Sequence, residues 1–203
     1  MGHREDLLEG AKRCLVEKGY ARTTARDIVA ASGANLASIG YHYGSKDALM
    51  RKALIASVEE WGAGVAEAST LDAVAAPDAE PLERFAAVWD QILRHIATER
   101  EFIASQVEVL GLLPRDEGLR AAIGEARPEG GEGLVAVFEG VPDTEVDAEA
   151  AQVVGSFYQA LLTGLMVQSL LTPDAMPTGR DLADALRRIT AGQVLGRPRP
   201  AGE

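Results

Sequence analysis

A chain of 203 residues, 47% apolar and 25% charged, is long enough to bury one large core or two small ones and has the balance of a soluble globular protein. Its net charge of −11 argues against nucleic acid as a partner until the charge is divided along the chain. Residues 1–52 carry nine Lys and Arg against six Asp and Glu, a net +3, while the remainder carries eleven against twenty-five, a net −14. The single cysteine, Cys14, excludes an intramolecular disulfide framework and a thiolate metal cluster. It falls on the apolar face of the first helical pattern and reads as a small buried hydrophobe. No apolar run reaches signal-peptide or membrane-spanning length, so the protein reads as cytoplasmic with no membrane partner.

Scarce aromatics and abundant Ala and Leu favour helix over strand. Residues 5–18 place Leu7, Leu8, Ala11, Cys14 and Leu15 at helical spacing, and Gly19 ends that helix. Thr24-Ala25-Arg26-Asp27 has the form of a capping box opening a short helix over 25–32, with Ile28 and Val29 inward and Gly33 as its stop. Asn35 caps a third helix over about 36–43, broken by Gly44. Ser45 caps a fourth, with Leu49, Leu54, Val58 and Trp61 along one side. A helix, a glycine-containing turn and a second short helix form the helix-turn-helix arrangement, although any small helical bundle broken by glycines has the same spacing.

Beyond a loop predicted near 71–80, helical patterns resume at 81–97 and 100–112. Irregular Gly- and Pro-interrupted segments are expected at 114–142, then helices at 147–171 and 179–194 and a disordered tail at 197–203. The fold class is therefore all-α, about nine helices in total. An N-terminal three-helix head (1–52) joins a larger helical body (53–196), with the boundary inside the fourth helix. Enzyme signatures are missing: the three histidines, His3, His42 and His95, form no HExxH or Glu-x-x-His pair. There is no Gly-Lys-Ser/Thr phosphate loop and no placed nucleophile, so no catalytic residue, metal ligand or cofactor is assigned.

The stretch Arg4-Glu5-Asp6-Leu7-Leu8 followed by EKGYARTTARDIVAASGANLASIGYHYGSKDALMRKAL (17–54) resembles the N-terminal domain of TetR-family regulators, over about a quarter of the chain. The resemblance implies a ligand-responsive transcriptional regulator, most readily a repressor. It would bind a palindromic double-stranded DNA operator as a homodimer and be released by a small-molecule effector. It implies phosphate contacts from Thr24, Tyr41, His42 and Lys46, and a base-edge contact from Arg26, which could otherwise be a plain exposed arginine. Asn35, Leu36, Ala37 and Ser38 would open the recognition helix, with Leu36 as a core residue the competing reading.

The sequence departs from the family at Gly40, where an aromatic, usually Tyr, often stands. Glycine there removes a phosphate-binding hydroxyl and costs roughly 1 kcal/mol of helix stability. In the body, the resemblance places a ligand pocket between central helices, where Phe85, Trp89, Phe102, Gln106 and Tyr158 could line a cavity or simply form core. It places a dimer interface on 147–171, carried by Val154, Phe157, Leu161 and Leu165. The alternative from another class is a helical enzyme or protein-interaction module with a vestigial helix-turn-helix.

Overall fold

The computed structural model describes residues 3–75 and 80–192. The described residues contain nine α-helices and no strand: α1 (His3–Lys18), α2 (Ala25–Ser32), α3 (Leu36–Tyr43), α4 (Lys46–Ala75), α5 (Pro81–Thr98), α6 (Arg100–Leu110), α7 (Glu117–Glu139), α8 (Ala148–Leu171) and α9 (Gly179–Thr190). Two single 3₁₀ turns, Asp143–Glu145 and Pro173–Ala175, flank α8. The expected tail and residues 193–196 lie outside the described residues.

Side-chain caps set most helix starts. Thr24 and Thr178 each close a capping box with the aspartate three residues on, and Asn35, Asp116 and Asp147 accept from first-turn amides. Gly33 adopts a left-handed φ of 71° and returns its N–H to the Val29 carbonyl, which turns the chain from α2 into α3 without the strain a Cβ would bring.

The helices enclose two cores. The first gathers Leu7, Ala11, Leu15, Ile28, Ile39, Leu49 and Leu54 from α1–α4 and is completed by Val109 and Leu119 at the α6–α7 joint. The head is therefore sealed by a piece of the body. The second gathers Phe85, Trp89, Ile92, Ile103, Phe138 and Leu165, with α9 laid along α5. Helix α4 serves both cores, contributing Leu49, Met50, Ala53 and Leu54 to the first and Val65 to the second. Val58, expected on its inner side, is instead exposed.

Three sequence expectations need correction. The loop near 71–80 begins later, because α4 continues to Ala75. The supposedly irregular 114–142 segment is mostly one 23-residue helix, α7, which runs through Pro128. Proline forgoes one ladder hydrogen bond there. Gly124 and Pro128 are both exposed, so water can satisfy the freed carbonyl, and the Gln159 amide of α8 donates to the neighbouring Arg127 carbonyl at 2.7 Å. Gly131, one of the glycines that looked like breakers, makes a contact instead: a Cβ on Gly155 of α8 would lie 2.8 Å from the Gly131 carbonyl oxygen of α7, so only glycine permits this crossing.

The third correction concerns α8. By length and composition alone its 24 residues are apolar enough to cross a membrane, whereas the sequence reading found no such stretch. Gly155, Leu165 and Ser169 are buried against neighbouring helices, so α8 is part of the helical body. Its other side leaves Val153, Phe157 and Leu171 exposed.

Candidate nucleic-acid interface and effector cavities

Helices α2 and α3 and the start of α4 build the predicted DNA-reading surface. At the mouth of α2 the Thr24 backbone N–H and hydroxyl both donate to Asp27 Oδ2, at 2.8 and 2.7 Å, and the Asp27 N–H donates back to the hydroxyl at 3.2 Å. Lys18 Nζ donates to the other Asp27 oxygen at 2.5 Å. The Lys18 bond, then the Thr24 hydroxyl and amide, hold the Asp27 carboxyl well below the usual carboxylate range. The anion that a helix N-terminus attracts is thus already supplied from within the chain. The Thr24 hydroxyl proton is committed to Asp27, so a phosphate contact by Thr24 would compete with its own capping box.

Arg26, in the first turn of α2, is exposed and makes no hydrogen bond or ion pair among the described residues. Asn35 caps α3 through Oδ1, which accepts the Ser38 N–H at 3.0 Å. Leu36 is 56% exposed, which removes it from the core; Ala37 is exposed beside it and Ser38 partly buried. Tyr41 is 86% exposed and meets the half-buried His42 ring edge-on at 4.8 Å. At Gly40 an added Cβ would meet nothing within 4 Å.

Lys46 is less free than expected. Its ammonium lies 3.0 Å from Asp47 Oδ1 and donates to the Thr23 carbonyl at 3.4 Å, which ties the start of α4 to the segment that opens α2. Asp47 thereby offsets a first-turn lysine's unfavourable interaction with the helix dipole. The anchoring role of Tyr43 was not legible in the sequence: its hydroxyl donates to the Arg4 carbonyl at 2.6 Å and fastens the end of α3 to the start of α1.

The structure divides the predicted ligand-lining set. Phe85 and Tyr158 border a cavity of about 410 Å³ between α5, α7, α8 and α9, together with Arg84, Phe138 and Leu186. Tyr158 stacks on Phe138 at a 4.0 Å centroid separation, and burial pushes its hydroxyl pKa upward. Trp89 packs against the same rings but is fully buried, so it backs the wall instead of facing the space. Phe102 borders a different, larger cavity of about 690 Å³, where α1 meets α4, α5 and α6. Gln106 borders neither and has its side-chain amide beside the Ser105 hydroxyl. The larger cavity is also walled by Glu60, Trp61 and His95, which were not in the predicted set; their positions in sequence carry no local signal that they converge.

On α8, Phe157 is 48% exposed, while Val154 and Leu161 are half-buried. Leu165, predicted for the dimer interface, is 2% exposed within this chain's own second core. It is a core residue, misplaced from sequence because a helix apolar for most of its length gives little contrast from which its inner and outer faces can be told apart.

Two family models match the chain: one for bacterial regulatory proteins of the tetR family over residues 7–53, and one for the tetracyclin repressor-like C-terminal domain over residues 80–192, more than half of its length. The chain belongs to the TetR family. Among its relatives, the HTH-type transcriptional repressor AcnR of Corynebacterium efficiens is 25% identical over 169 residues, covering 82% of this chain and 86% of that protein. The HTH-type transcriptional repressor Rv1474c of Mycobacterium tuberculosis is 39% identical over 80 residues, 37% of this chain and 42% of that one. The multidrug binding protein EbrR, solved in complex with imidazole, superposes with a TM-score of 0.62 at 25% identity, covering 99% of this chain and 98% of that one. As a TetR-family member the chain is a transcriptional regulator with a helix-turn-helix head, and the alternative of an enzyme falls away.

Proposed function

We propose that this TetR-family regulator is a cytoplasmic repressor. On this reading it holds two copies of α3 in successive major grooves of a palindromic operator and lets go when a small molecule occupies its body. The observation that carries the reading is the presentation of α3: Leu36 and Ala37 stand exposed at the start of a capped helix, with Asn35 and Ser38 beside them and Arg26 and Tyr41 exposed alongside. Apolar groups at the first turn suit contact with thymine methyls, and Arg26 suits bidentate contact with guanine. Tyr41, His42 and Lys46 supply backbone contacts, Lys46 by exchanging Asp47 for a phosphate. Thr24 acts chiefly through its cap on α2.

The homodimer is supported by α8. Its outward Val153 and Phe157, with the half-buried Val154 and Leu161 next to them, leave an apolar strip on a body of strongly negative charge. A second copy covers such a strip by two-fold symmetry, and the same symmetry matches a palindromic site. Repression and effector release are supported by the repressor AcnR and by EbrR with its bound imidazole.

The test is selection from a random DNA pool with the purified full chain. An enriched inverted repeat, its half-sites about 34–36 Å apart along the helix or somewhat more, is the expected product. Failure to enrich any sequence at low salt refutes operator binding.

A further inference from the structure

The head's net charge of +3 overstates what it can offer to DNA, because most of its nine lysines and arginines are already engaged. Lys12 is held by Glu9 at 2.7 Å and Glu60 at 2.5 Å, Lys18 by Asp27 at 2.5 Å and Lys46 by Asp47 at 3.0 Å. Arg13 and Arg22 donate to the Ala31 and Lys18 carbonyls, in the last turns of α2 and α1. A cation held in this way reaches a phosphate only by exchanging its partner. Attraction for a DNA backbone therefore falls chiefly to exposed arginines, and the head has two: Arg26 on α2, and Arg4 on α1.

Arg4 is far from α3 in sequence but is fastened to it. Its carbonyl accepts the Tyr43 hydroxyl at 2.6 Å, which joins the first turn of α1 to the last turn of α3. The guanidinium lies there as well: burial pushes the Tyr43 hydroxyl pKa up, and the Arg4 charge opposes that rise. Tyr43 follows Leu36 by seven residues and Gly40 by three. It therefore shares the side of α3 on which those two stand exposed, at the border with the buried Ile39. Arg4 thus extends the surface of α3 at its C-terminal end. The α1 dipole disfavours a cation in its first turn and the α3 dipole favours one beside its last, so helix stability gives no net reason for the charge.

We propose that Arg4 is a further DNA contact: with Tyr43 holding the start of α1 against the end of α3, its guanidinium takes a backbone phosphate flanking the half-site that α3 reads. The inference rests on the reading of α3 as the recognition helix. A phosphate contact carries no sequence information; it fixes the register and angle of α3 in the groove. Tyr43 is a positioning residue, which acts by keeping the first turn of α1 in place.

The test is fluorescence anisotropy of the full chain, across a salt series, on the inverted repeat it enriches from a random DNA pool. One lost phosphate contact lowers the slope of log affinity against log salt by about 0.9. Arg4→Ala should therefore bind more weakly at low salt, and its loss of affinity between about 50 and 200 mM salt should be roughly 3-fold smaller than that of the unaltered chain. Arg4→Lys should keep the slope, since a point charge serves a phosphate. Tyr43→Phe should lower it with no loss of helicity by circular dichroism. Neutral methylphosphonates placed one at a time beside the half-site locate the contact: at one position the unaltered chain should lose roughly 3-fold in affinity and Arg4→Ala nothing further. An unchanged slope in Arg4→Ala, or equal methylphosphonate losses in both proteins at every position, overturns the Arg4 contact and leaves α3 as the reader. An unchanged slope in Tyr43→Phe overturns its positioning role, and Arg4→Ala decides alone if Tyr43→Phe unfolds. If the unaltered chain enriches no sequence, the reading of α3 falls and the Arg4 contact with it.

Discussion

Gly40 is the position where the helix-turn-helix departs from its family's habit, and the structure shows what replacing it should do. The residue lies in the body of an eight-residue helix, is exposed, has no left-handed φ, and leaves an added Cβ with no neighbour inside 4 Å. Neither packing nor backbone conformation therefore requires glycine. Gly40→Ala should gain the helix-propensity difference of about 0.8–1 kcal/mol with nothing to oppose it. For a chain of this size that is a rise in melting temperature of roughly 2–4 °C. Gly40→Tyr should gain less from propensity but add a hydroxyl on the exposed face that carries Leu36 and Ala37. It should tighten binding to the enriched operator and steepen the salt dependence by about one phosphate contact. Differential scanning calorimetry reads the first effect and fluorescence anisotropy across a salt series the second. A Gly40→Ala protein that melts lower would show that glycine has a steric duty the geometry does not display. A Gly40→Tyr protein with unchanged affinity and salt slope would remove this face from the DNA contact.

Other outcomes follow from the same geometry. Lys46→Ala should weaken binding to all DNA sequences alike and flatten the salt slope, while Arg26→Ala should chiefly relax specificity at one base pair, by about 1–3 kcal/mol; anisotropy on matched and mismatched sites separates the two. Because Asp27 titrates below its unfolded value, the stability it lends is present above about pH 4 and lost as pH falls below it. Asp27→Asn should therefore flatten the acid limb of melting temperature against pH, and an unaltered acid limb would refute the Lys18–Asp27–Thr24 arrangement as a source of stability. Gly155→Val must push α8 off the Gly131 carbonyl and should cost about 1–3 kcal/mol in thermal unfolding. Phe157→Asp should convert a dimer to a monomer in analytical ultracentrifugation without lowering the chain's helicity.

The head was legible because its structure is written in local hydrogen bonds. Thr24 with Asp27, Asn35 with Ser38, and Gly33 at a left-handed turn each involve residues within four positions of one another. The body was less legible because its decisive contacts are remote. Gly131 reads as a helix breaker, and Gly155 as an ordinary residue of a helix, until α7 and α8 are crossed; only then does each explain the other. Leu165 and Phe157 look alike in a helix apolar for most of its length, and only packing sends one into the core and the other outward. Trp61, His95 and Phe102 come from three helices, so no spacing rule gathers them. In the head the same limit hid one partner, the Arg4 carbonyl for Tyr43.

The central claim, that α3 reads DNA, is tested most directly by Ala37→Asp. Ala37 is exposed in the first turn of α3, where an aspartate favours the helix dipole and so should leave the head folded. The same carboxylate would face the bases and phosphates of a major groove. The account expects an unchanged or slightly raised melting temperature together with roughly 100-fold weaker binding to the enriched operator, a loss of about 2–3 kcal/mol. Operator binding undiminished in a folded Ala37→Asp protein would contradict it.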